Sequence, residues 1–210
     1  MKKLLLAAAS VALPVGLIAS TASLASAAAP GVNVTHASIT CTTVTGAAKF
    51  APALTATGGN PENTTVKLVI GGCTVSGAPG VTISGGKGSG VLHSASNSAI
   101  ALLGPVAVTG QVNVKWTSNV ALTAKSSSVN VTVVTGGTSG SFASLAVTAG
   151  HATVTGDFAG TNGGATSTLY SETTQTVSAL TTAAAGAKGL KGITLGTSGA
   201  HLHPNSLHLA

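Results

Sequence analysis

Three side-chain carboxylates and six imidazoles are the first groups in the 210-residue chain to weigh for acid–base or metal chemistry. The acids are Glu62, Asp157 and Glu172, and the imidazoles are His36, His93, His151, His201, His203 and His208. Glycoside hydrolysis needs two carboxylates about 5–10 Å apart, one of them kept protonated. Glu62 follows Pro61 in the turn-like "GGNPEN", Asp157 follows the end of a strand-like run, and Glu172 precedes a helix-like stretch, where a carboxylate complements the helix dipole. None of these positions predicts a pair. A Ser-His-Asp triad needs a positioned serine. His151 and Asp157 flank one strand-like run, but no G-x-S-x-G elbow is present, since "GTSGS" and "GTSGA" have the wrong spacing. The tail "HLHPNSLH" (His201 to His208) has imidazoles that suit zinc, copper or nickel. No cysteine or carboxylate completes that set, and a flexible segment loses entropy on ordering, so the expectation is weak adventitious binding only. The sequence therefore assigns no catalytic residue, no cofactor and no metal site.

Binding surfaces are equally sparse. Sugar-binding sandwiches use aromatic platforms, and the aromatic residues here are Phe50, Trp116, Phe142, Phe158 and Tyr170. In "QVNVKWTS", Trp116 shares a face with Val112 and Val114, so it is expected in the core, with the phenylalanines; Tyr170 is the one expected near the surface. There is no arginine, and beyond Lys2 and Lys3 the chain carries seven lysines against three acids, a net +4 (7 − 3). The lysines are scattered along the sequence, which predicts a weak field and not a patch. Nucleic-acid sites want clustered cations and stacking rings, so that partner is excluded. The alternating run from Ser127 to Gly156 could suit a membrane hairpin, but one Trp and one Tyr make no aromatic girdle.

The elements that must carry these residues begin after an export signal. Lys2-Lys3, the apolar run from Leu4 to Ala19 and the A-x-A site Ala25-Ser26-Ala27 predict a signal peptide over residues 1–27, cleaved in the mature chain. The expected product is secreted, extracellular or loosely wall-associated, with no transmembrane span. Nearly every later segment has period two, in runs rich in Val, Ile and Thr. Strands are expected at Ala37–Val44, Ala48–Ala56 (edge or bulged, because of Pro52) and Thr65–Val75. Gly80–His93 reads as two short strands around a glycine-rich turn. "QVNVKWTS" and "SSVNVTVVTGG" are further strands, the latter with Val129, Val131 and Val133 on one face. "FASLAVTAGHATVTGDF" reads as a hairpin turning near Ala149-Gly150, and "ATSTLYS" as a strand for an edge. Alanine-rich Thr173–Ala185 predicts a short helix stopped by Gly186 or Gly189, followed by a last strand in "LKGITLG". Many short strands separated by turns predict an all-β, single-domain β-sandwich over residues 28–198, Greek-key or jelly-roll-like, with one short helix near the C-terminus and a flexible tail over 199–210.

Cys41 and Cys73 pose a problem of parity. Val66, Leu68 and Ile70 share a face, and the same count puts Cys73 on the other, whereas Cys41 lies on the Ile39 stripe. A bulge at Gly71-Gly72 would flip every residue beyond it and bring the cysteines together. In an oxidising compartment the expectation is a structural Cys41–Cys73 disulfide; no CxxC spacing suggests redox chemistry. Trp116 follows both cysteines, unlike the order in an immunoglobulin domain. With "ITCTTVTGAAKFAPAL", "VKLVIGGCTV", "VNVKWTS" and "GLKGITLG" in place, the chain resembles small secreted β-rich actinobacterial proteins of unknown function. That resemblance implies a secreted β-fold and no activity, and a further cysteine pair common among such proteins is missing here. The function expected is that of a non-enzymatic structural or interaction module of the extracellular space or cell envelope. The alternative is a ligand- or carbohydrate-binding module using loops around "GGKGSG" and "GGTSGSF".

Overall fold

The computed structural model describes residues 30–100, 104–139, 141–172, 175–196 and 205–210. The signal peptide expected over 1–27, and His201 and His203 of the tail, lie outside the described residues. The elements are β1 (Ser38–Leu54), β2 (Glu62–Ser76), β3 (Ile83–Ser94), β4 (Pro105–Ser118), β5 (Ser126–Ser139), β6 (Phe142–Val147), β7 (Ala152–Gly156), β8 (Ala165–Tyr170), α1 (Val177–Ala185), β9 (Leu190–Leu195) and β10 (Ser206–Leu209).

The chain is all-β, but it is a barrel and not the sandwich expected. Antiparallel neighbours run β1-β2-β3-β4-β5-β6-β8-β10, and β10 pairs back onto β1, so eight strands close into a ring. β9 extends the free edge of β1 beyond β10, and β7 extends that of β5 beyond β6. Closure satisfies the sheet edges that a sandwich leaves exposed. The sandwich expectation fails because glycines need not mark turns. "GGKGSG" lies inside one continuous strand, β3, and the two segments expected at Ala37–Val44 and Ala48–Ala56 fuse into the 17-residue β1. Long strands with register shifts at Ile83/Gly85, Ala107/Gly110 and Lys49/Leu54 coil instead of stacking. Gly90 shows why glycine is used within a strand: a Cβ there would stand 2.0 Å from the Gln111 carbonyl oxygen.

Two other connections differ from expectation. β6 and β7 are not a hairpin; both pair with β5, at Thr135–Ser139 and Ser127–Val131 respectively. Ser206–Leu209, placed by sequence in a flexible tail, is the strand that closes the ring. Leu209 is fully buried, and the amide of buried Asn205 donates to the Val44 carbonyl at 2.7 Å while its Oδ1 accepts from the Tyr170 N–H at 2.8 Å. Burying Leu207 and Leu209 contributes about 1.5–3 kcal/mol each, and the ladders to β1 and β8 add backbone hydrogen bonds on both edges of this four-residue strand.

The Cys41–Cys73 disulfide is formed, and the parity problem has a different solution from the bulge expected. Cys41 stands directly opposite Cys73 and Thr43 opposite Gly71, in one unbroken register. Both strands flip faces together. In β1 the buried set changes from Ile39 and Cys41 to Val44, Ala48 and Phe50; in β2 the inversion passes through Gly72, at φ +60°. Neither strand gains a residue on the other. A Cβ on Gly72 would meet the Thr42 hydroxyl oxygen at 2.6 Å, so glycine is required twice over.

The helix follows its sequence cues. Thr176 caps it by accepting from the Ala179 N–H, Gly186 ends it, and Leu180 and Ala184, one turn apart, bury against Phe50, Leu54, Ile193 and Leu195. α1 thus packs at one end of the barrel. The other end is filled by Ile39, Ile83, Phe158 and the half-buried Trp116.

Candidate functional site: the barrel lumen

Alternation along β1 to β5 sends valine and leucine inward and Thr, Asn, Gln, Ser and Lys outward. This is the reverse of a membrane barrel, which is apolar outside and polar within. The inward set does not fill the ring. A cavity of about 160 Å³ remains, walled by Val66, Val112, Val129, Val131, Leu145 and neighbours. Its size is close to the ~150 Å³ apolar cavity that stays dry and accepts benzene in an engineered protein. An eight-strand barrel has an interior just wide enough for side chains or one small ligand.

One end of the cavity is polar. Glu62, Thr64, Ser94, Ser96 and Ser98 line it there. Glu62 is only 4% exposed. Burial pushes its carboxyl above the usual value; the Thr64 hydroxyl, the Ala51 amide and nearby His93 counteract that in part. The Thr64 hydroxyl reaches both carboxylate oxygens, at 3.0 and 2.8 Å. The loops at this end are pinned by buried Asn97, which accepts from the N–H groups of Gly59 and Asn60 at 3.0 and 3.1 Å and donates to the Ala53 carbonyl at 2.9 Å. Sequence reasoning places Glu62 in a turn. The contrary signal is present in the chain: Glu62, Thr64, Val66, Leu68 and Ile70 share one parity, so the acid belongs to the inward face.

Asp157 is at the other end and is fully buried. Its Oδ1 accepts from the Ala124 N–H at 3.3 Å, while Oδ2 has no partner among the described residues. Burial raises this carboxyl's pKa, and the Ala124 bond lowers it in part. The Asp157 carbonyl accepts from the Ser127 hydroxyl, which in turn accepts from Trp116 Nε1 at 2.8 Å. Trp116 packs edge-on to Phe158 with ring centroids 5.5 Å apart. These groups fasten the loop after β7, and none of them lines the cavity described above.

The remaining candidates are dispersed. Glu62 stands at the level of Val108 on β4, and Asp157 at that of Lys115, seven residues along the same strand, so the two are about 20 Å apart. Glu172 follows β8, with its N–H bonded to the Thr194 carbonyl. His151 and Asp157 occupy opposite ends of β7. No group of three metal-binding side chains occurs among the described residues, and among them no helix is long and apolar enough to cross a membrane. Neither Trp116 nor Tyr170 lines the cavity, so the two form no stacking platform there. Comparison with family models, curated proteins and solved structures finds no match to the chain.

Proposed function

We propose that the protein is an exported, non-enzymatic binding barrel whose lumen takes a small molecule with an apolar body and one hydrogen-bonding head. The observation that carries this reading is the valine-walled cavity ending in a buried carboxylate. The body would be about the size of a single ring or a short branched alkyl group. The head would be a donor, an amine or a hydroxyl, because Glu62 offers acceptor oxygens and the serines beside it can turn to suit. Export is supported by the leader-like first 27 residues and by the disulfide. The absence of enzymatic activity is supported by the separation of Glu62 from Asp157 and of His151 from Asp157.

Benzylamine and toluene, titrated into methyl-labelled protein and followed by NMR, test the proposal. Both should shift the methyl signals of Val112, Val129 and Val131. Benzylamine should bind about tenfold more tightly, and Glu62→Gln should remove that advantage while leaving toluene unchanged. Lumenal methyls that do not respond to either compound at millimolar concentration would refute the reading.

A further inference from the structure

The scattered lysines do not stay scattered when the strands pair. Lys49 on β1, Lys67 on β2, Lys87 on β3 and Lys115 on β4 all point outward and are exposed. Lys49 lies opposite Thr65, two residues from Lys67; Val69, two residues on, lies opposite Lys87; and Lys87 lies directly opposite Lys115. On a pleated sheet these steps are about 7–8, 7–8 and 5 Å. The four ammonium groups therefore form a diagonal stripe about 20 Å long across four adjacent strands. Exposed Lys125 immediately precedes Ser126, the partner of Lys115, and continues the stripe.

Of the three acids, Glu62 is the only one in β1 to β4 and lines the lumen, and Asp157 is buried; Glu172 lies beyond β9, its N–H on the Thr194 carbonyl, and not opposite Lys87 or Lys115. Like charges placed directly opposite on neighbouring strands destabilise a sheet, so the Lys87/Lys115 pair costs the free protein stability. Beside the stripe on the same face is a ladder of amides. Gln111 Nε2 donates to Asn130 Oδ1 at 3.0 Å, Asn113 Nδ2 to Gln111 Oε1 at 3.2 Å, and the Ser128 hydroxyl to Asn113 Oδ1 at 2.6 Å. Each of these amide nitrogens keeps a second N–H for an outside acceptor.

We infer that the outer face of β1 to β4 binds a linear, polyhydroxylated polyanion, a glycan or polyol chain carrying carboxylate or phosphodiester groups. The lysines would meet its charges and the amides its hydroxyls. The stripe follows the barrel's curvature, which suits a flexible chain better than a planar membrane. The face has no exposed ring for a nucleobase to stack on, unlike single-strand nucleic-acid sites.

The test uses the full mature chain and, as probes, polygalacturonate (carboxylate) and poly(glycerol phosphate) (phosphodiester). Neutral dextran, a single-stranded oligonucleotide and phosphatidylglycerol vesicles are the comparisons. The expected result is low-salt binding to at least one of the first two, weakened steeply by salt, with dextran inert and the oligonucleotide and vesicles weaker. Which polymer binds identifies the acidic group. Lys67→Gln/Lys87→Gln should weaken binding about 10–30-fold, while Lys188→Gln, outside the stripe, should change it less than twofold. The inference is overturned if neither polymer binds, if the double variant binds like the parent, or if the oligonucleotide or vesicles bind as tightly as the polymers.

Discussion

Val129→Phe is the sharpest probe of the lumen. Val129 faces the cavity from the first third of β5, between Val112 on β4 and Val154 on β7. An empty apolar cavity costs about 24 cal/mol per Å³ in side-chain deletion series. For about 160 Å³ that sets a ceiling of about 4 kcal/mol on what the unliganded barrel forgoes, because the polar end of the space is open to water. Exchanging isopropyl for benzyl adds roughly 50 Å³, about a third of the space, and should recover about 1 kcal/mol, less whatever strain its rotamer introduces. The net expectation is a gain of about 0.5–1 kcal/mol in urea unfolding, with the slope against urea unchanged. Toluene binding should fall at least tenfold in the same variant. Stability and binding are thus predicted to move in opposite directions, as they do where a protein keeps a site at the expense of packing. Val131→Phe, one inward position along the strand, is the companion variant. If both variants lose more than about 1 kcal/mol, there is no room where the geometry places it, and the lumenal reading fails with it.

The disulfide and the second buried acid give two further expectations. Cys41 and Cys73 are 32 residues apart, and cross-linking a loop of that length contributes about 3–4 kcal/mol by the chain-entropy relation. Cys41→Ala/Cys73→Ala should lower the unfolding free energy by that amount, and a loss below about 1 kcal/mol would mean that the β1–β2 ladder holds the chain ends together by itself. Burial raises the Asp157 carboxyl's pKa, so the unfolded chain ionises at lower pH than the folded one. Its contribution to stability therefore falls as pH rises from the ordinary carboxylate value through the raised folded value. Asp157→Asn should flatten that fall and add about 1–3 kcal/mol at neutral pH, since it removes a buried charge with one unpaired oxygen. A thermal melting series from pH 3 to 8 in which parent and variant stay parallel would contradict this.

Local periodicity carries most of the secondary structure, and closure carries the rest. The inward positions of Val112, Val114 and Trp116 can be counted from "QVNVKWTS", and the Thr176 cap, the Leu180/Ala184 face and the Gly186 stop of α1 are local as well. Three things cannot be read locally. A glycine marks a turn or a strongly coiled strand with equal ease, so β3 reads as two strands when it is one. β10 is four residues long, so its Ser-Leu-His-Leu alternation is too short to stand out; it is a strand because β1 and β8 both present free edges to it. The lysines are separated by 18, 20 and 28 residues along the chain, and only antiparallel register brings Lys49, Lys67, Lys87 and Lys115 onto one diagonal. Glu62 is different: its parity with Val66 and Ile70 is legible, and the Pro61 turn signal obscures it.

The composition that makes the sequence look inert also explains why the barrel has something to offer. An eight-strand ring is usually filled by large inward side chains. Here the wall is set largely by valine, and Gly88 and Gly90 replace two further inward side chains on β3. A ring closed with so few large residues must retain volume, whatever the details of packing. The same economy acts outside. With only three acids in the chain, two of them buried and Glu172 beyond β9, no acid is paired with Lys87 or Lys115 on β3 and β4, and their repulsion stands until an external anion relieves it. Lys115→Gln should accordingly stabilise the free protein by a few tenths of a kcal/mol or more at low salt, an advantage that fades as salt screens the pair. Were the variant no more stable at low salt than at high, the two ammonium groups would not be confronting each other across the strands, and the stripe would lose the repulsion that gives it a use.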